Sequence, residues 1–152
     1  MAHARSAIGR CLAILTAMLL IAAVMDAATI GIAASADAKW PADDVLRSGM
    51  AAIRKATLDS HTLVTHRRMP PASARSFAER IRKEADRIEA DAAVPLTAKP
   101  DLKTLLADIV AGAEAVAGRG GELTPIDGII QIDTALARYP ERFDDPTWQP
   151  LR

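Results

Sequence analysis

Cysteine is all but missing: the 152 residues hold one, Cys11, inside an apolar run near the N-terminus. If that run is an export leader, as argued below, the chain after it can form no disulfide, thiolate nucleophile, Cys-ligated zinc site or covalent c-type haem. Aromatic residues are almost as scarce, with two Phe, two Trp and one Tyr, so a core has to be made from small aliphatic side chains. Neither sign of charge is in excess, since 19 Lys and Arg face 19 Asp and Glu. Nucleic-acid binding normally shows a basic surplus and attraction to a membrane surface needs a cationic driver; this balance supplies neither.

What is present begins with an export signal. Arg5 and Arg10 precede an apolar run over residues 11–25, and small residues continue to Ala38. The small-x-small sites Ala34-Ser35-Ala36 and Ala36-Asp37-Ala38 predict cleavage near Ala36 or Ala38. The alternative is an uncleaved anchor. Asp26 speaks against it, because a carboxylate near mid-membrane costs roughly 2.5–3.5 kcal/mol on insertion scales. Residues 1–38 are therefore read as a signal peptide, and residues 39–152 as one periplasmic or secreted domain. Its charges balance too, 17 against 17. A chain of this length buries roughly two-thirds of its unfolded surface, enough for a single core.

Hydrophobic spacing in that domain is helical throughout. Over residues 43–69, Leu46, Met50, Ile53, Thr57, His61 and Val64 share one stripe, opened by Asp43 and Asp44 and stopped by Pro70-Pro71. Gly49 weakens this helix by about 1 kcal/mol relative to alanine, which packing must offset. Residues 73–93 carry Ala74, Phe77, Ala78, Ile81, Ala85, Ile88 and Ala92 on one side and charges four apart on the other, a solvated face. Pro100 opens a third helix with Leu102, Leu105, Leu106, Ile109, Ala113 and Val116 inward, closed by Gly118-Arg119-Gly120-Gly121. Thr124, Pro125 and Asp127 make the best start signal of all, and Pro140 is expected to end that fourth helix. Four such segments with short connections predict an all-α, antiparallel up-down-up-down four-helix bundle, with a C-terminal tail from about residue 140.

Chemistry-bearing residues are few. His61 lies on the apolar stripe of helix one, where a hydrogen-bonded boundary role competes with ligation. His61 and His66 are five apart, about 140° around a helix, so they cannot clamp one metal from a regular helix. If the helix stops near Val64, His66 and Met69 become free to approach one another, and imidazole with thioether suits copper, above all the reduced ion. His61, His66 and Met69 are thus the candidate metal ligands. Arg54 borders the seam of helix one and Asp133 that of helix four, which predicts a partly buried ion pair fixing register.

Met50, early in helix one of an exported bundle, resembles the haem-side methionine of soluble periplasmic four-helix-bundle proteins of the cytochrome b and cytochrome c-prime type. The resemblance spans the architecture of residues 42–140 and implies a haem carrier. The chain departs from it where haem is held: residues 126–139 contain no histidine, no Cys-x-x-Cys-His occurs, and Met50 and His61 lie about 16 Å apart along a helix axis.

The tail holds the densest aromatic cluster, with Tyr139, Phe143 and Trp148. Phe143 and Trp148 are expected to fold over one end of the bundle, with Trp40 over an adjacent edge; aromatics flanked by charge would also suit docking of a partner. No serine elbow, thiol or suggestively spaced histidine–carboxylate pair is present. The reading is an exported, non-catalytic binding or accessory protein with a protein partner, engaged at the Phe143–Trp148 or the His61–Met69 end. The alternative is a metal or haem carrier using the His and Met residues of helix one.

Overall fold

A computed structural model describes residues 39–151; the expected leader and Cys11 lie outside the described residues. Four helices dominate: α1 (Asp44–Thr65), α2 (Pro71–Asp91), α3 (Lys99–Val116) and α4 (Pro125–Arg142). Each packs on its sequence neighbour, and α1 also packs on α4, so four apolar stripes close on one core. Leu46, Met50, Ile53, Phe77, Ile81, Ile88, Ile109, Ile129, Ile132 and Leu136 are buried there almost completely. Gly49 faces Ile88, whose side chain takes the space a Cβ would fill. Among the described residues no helix is long and apolar enough to cross a membrane.

The helix ends follow local hydrogen-bond chemistry. Asp43 caps α1, its Oδ1 accepting from the Leu46 N–H at 2.8 Å. Its Oδ2 accepts from the Ala93 N–H at 2.7 Å, tying the start of α1 to the exit of α2. Thr124 and Asp127 form the expected capping box on α4. Helix α2 begins at Pro71, earlier than the expected residue 73, because proline suits the first helical position. Helix α4 does not stop at Pro140 but runs to Arg142. Proline there removes only one N–H from the last turn, and Tyr139, fully buried and stacked on Phe143 at 5.5 Å, holds that turn in place.

Helices α3 and α4 make the closest approach. A Cβ on Gly112 would stand 2.6 Å from the Gly128 carbonyl oxygen, and one on Gly128 2.4 Å from that of Gly112. Neighbouring ion pairs join Asp108 to Arg138, and Asp101 to Arg142 at 3.8 Å. The contacts descend α4 as they climb α3.

The segments that precede α1 and follow α4 meet. β1 (Trp40–Pro41) pairs in parallel with β2 (Phe143–Asp144), Trp40 opposite Phe143. Trp148 packs edge-on against Tyr139, ring centroids 4.7 Å apart, and the Tyr139 hydroxyl donates to Asp145 Oδ2 at 3.1 Å. Burial and the neighbouring Asp145 carboxylate raise the Tyr139 phenol far above its ordinary range, so it stays protonated and donating.

Candidate functional site

The end of α1 is where structure and sequence part company. Pro70-Pro71 does not stop this helix; it ends five residues earlier, at Thr65. The turn is closed by the Arg67 N–H on the Val64 carbonyl (2.9 Å) and the Arg68 N–H on the Leu63 carbonyl (2.7 Å). This paired pattern places the residue after the cap in the left-handed region, which favours glycine. The same pattern ends α3, where Gly118 occupies that position at φ 75°. At the end of α1 the residue is Arg67, at φ 54°, the one non-glycine with positive φ among the described residues. An L side chain there costs about 1–2 kcal/mol.

Arg67 stands at the edge of a cleft of about 400 Å³ between the α1–α2 turn and the start of α4. Val64, Met69, Ala74, Val116, Pro125 and Ile126 supply its apolar wall, and Thr124 completes it. Leu63, in the last turn of α1, and Leu123, just before α4, are large hydrophobics left exposed near it in sequence. Arg67, Arg68 and Arg75 are exposed and make no ion pair with a carboxylate among the described residues. Asp127 is already committed: its carboxylate accepts from the Thr124 hydroxyl at 2.6 Å and from the Thr124 N–H at 2.9 Å, which holds it below the usual carboxylate range. Of the three arginines Arg67 alone lines the cleft, which thus combines an apolar wall with one guanidinium that has no carboxylate partner among the described residues.

The candidate metal ligands take separate partners. His66 turns back on its own helix, Nδ1 donating to the Thr62 carbonyl at 2.9 Å. Met69 goes into the wall of the cleft. His61 reaches across to α4, its Nε2 3.3 Å from Asp133 Oδ2. Among the described residues no three His, Cys, Asp or Glu side chains gather as a metal site. Met50 lies fully inside the core.

The expected Arg54–Asp133 pair is replaced. Arg54 donates instead to the Pro150 carbonyl at 3.2 Å, pinning the tail, and Asp133 takes His61. Arg54 and His61 stand seven residues apart on α1, about two turns or roughly 10.5 Å, so the register of α1 on α4 decides which of them faces Asp133, and sequence spacing alone does not fix it. Burial pushes the Asp133 carboxyl up, and His61 partly draws it back. Asp133 Oδ1 and Arg54 Nε are buried without a hydrogen-bond partner among the described residues.

The candidate docking aromatics are consumed by the fold. Phe143 is buried, stacked on Tyr139 and in strand register with Trp40, and Trp148 is half-buried on Tyr139. They seal this end of the bundle, and of the two expected docking ends the His61–Met69 end is the one that borders a cleft. Arg67 was not among the residues singled out by sequence. The signal available was negative: the stretch His66-Arg67-Arg68-Met69 before Pro70-Pro71 offers a helix end no glycine or asparagine. No protein-family description, no curated protein and no solved structure matches this chain.

Proposed function

We propose that the protein is a small, exported, non-catalytic binding protein, working in the periplasm or outside the cell, that seats a segment of a partner protein at the α1–α2 end. The observation that carries this reading is Arg67. Its backbone sits where glycine is the unstrained choice, yet the residue is a long cation standing at the edge of an apolar cleft. Strain of this kind persists where the side chain is put to use. A partner segment would place an apolar side chain against Met69, Val116 and Ile126 and an adjacent Asp or Glu against the Arg67 guanidinium, which pairs with carboxylates in a fork.

Selection of displayed random peptides on the purified protein tests this. The enriched peptides should share an apolar residue beside an acidic one. Their affinity should fall at least tenfold in Arg67→Gly, while that variant melts higher than the parent, because relief of about 1–2 kcal/mol of left-handed strain outweighs the roughly 0.5–1 kcal/mol that glycine costs through the freer unfolded chain. Peptides without such a consensus, or binding indifferent to Arg67→Gly, would end the reading.

A further inference from the structure

A second cleft among the described residues lies at the other end of α2, under its connection to α3, and nothing above uses it. Ala92, Val94, Leu96, Leu102 and Leu106 enclose about 430 Å³, inside the ~300–1,000 Å³ range of small-molecule sites. The connection is short and ordered: the Ala98 N–H bonds the Pro95 carbonyl at 2.9 Å and the Lys99 N–H the Leu96 carbonyl at 3.4 Å. That geometry fixes Leu96 at the cleft while leaving it 81% exposed, the most exposed large hydrophobic among the described residues. Val94, by contrast, is folded in, as are Leu102 and Leu106. The cleft therefore has an apolar floor and an apolar flap.

Its polar groups are unbalanced. Lys99 and Lys103, one turn apart on α3, both line it, against the single carboxylate of Glu89. Neither lysine pairs with a carboxylate among the described residues. Asp101, on the same turn, is engaged with Arg142 on the α4 side. The lining contains no aromatic ring and no arginine fork, so nothing there selects a base or a sugar.

We infer that this cleft binds a single-chain anionic amphiphile, free in solution, whose alkyl chain lies on Val94, Leu102 and Leu106 under Leu96 while its carboxylate meets Lys99 and Lys103. The inference does not depend on the partner-binding reading, which concerns the opposite end of α2.

The test uses protein recovered in the processed form its own cells make. Decanoate, kept below its micelle concentration, is titrated by calorimetry and by methyl NMR. Saturable binding is expected, with shifts confined to Val94, Leu96, Leu102 and Leu106. Decyltrimethylammonium, with the same chain and the opposite head, should bind at least tenfold more weakly. The double variant Lys99→Glu/Lys103→Glu should lower decanoate affinity at least tenfold without moving the melting temperature, both residues being exposed. Equal affinity for the two head groups, an unchanged double variant, shifts elsewhere, or no saturable binding would overturn the inference. So would co-sedimentation with phosphatidylglycerol vesicles in the absence of monomer binding, which would assign the lysines to a membrane surface. If the double variant does not fold, the head-group comparison on the unaltered protein decides alone.

Discussion

Asp133 shows how one side chain can carry a cost that its position imposes. Burial raises its carboxyl above the ordinary range, and the contact with His61 Nε2 returns only part of this. A carboxyl whose folded pKa lies above its unfolded value binds its proton more readily in the folded state. Its contribution to stability is therefore full below the unfolded pKa and is lost as pH rises through the folded one. At neutral pH Asp133 is a liability, with one oxygen lacking a partner. Asp133→Asn should make the protein about 0.5–1 kcal/mol more stable at pH 7. The gain should shrink as pH is lowered into the carboxylate range, where the parent also carries a neutral side chain. Urea melts at pH 7 and pH 4 read this directly. A variant less stable than the parent at pH 7 would mean that the charged contact with His61 outweighs the burial.

Helix-to-helix contact is governed by the smallest residues. Alanine at Gly112 gains about 1 kcal/mol of helix propensity, but its Cβ would lie 2.6 Å from a backbone oxygen of α4, and a backbone oxygen cannot rotate away. The helices must part, and overpacking of this kind costs about 1–3 kcal/mol. Gly112→Ala should therefore lower the denaturation midpoint despite the better propensity, and Gly128→Ala should do the same; a rise in either would show that α3 and α4 slide apart freely. Four helices, their inward stripes and the Thr124 cap were legible in sequence because periodicity and capping are local. The glycine contact was not, since a glycine inside a helix reads as a weakness until its neighbour across the seam is known. The same reason hid the His61–Asp133 pair: both residues lie on their seams, yet the vertical register of α1 on α4 chose His61 and not Arg54. Arg67 escaped for a different cause. Pro70-Pro71 is the stop that the residues advertise, and an end near Val64 stands only as a condition for freeing His66 and Met69, whereas the hydrogen-bonded turn at residues 66–68 closes the helix there.

A bundle without disulfides in its described part, and with five aromatic residues in all, needs its ends sealed, and the segments flanking α1 and α4 do this jointly at one end. Trp40 from the start and Phe143 from the end form neighbouring parallel strands, Phe143 stacks on Tyr139, and Trp148 closes the other side of that ring. Tyr139 itself lies on the core stripe of α4 with no exposure. The seal is thus continuous with the core, and it should not melt as a separate step. Phe143→Ala removes a side chain that is 1% exposed, a change that costs about 3–5 kcal/mol. A domain of this size holds roughly 5–15 kcal/mol in total, so the loss is large and shared by all four helices. The melting temperature should fall by about 10–20 °C. The helical signal from circular dichroism and the tryptophan emission, which reports only the sealed end, should still fall together in one transition. A tryptophan transition that moves down while the helical one stays in place would show these flanking segments to be a detachable strap, and the bundle core to be complete without them.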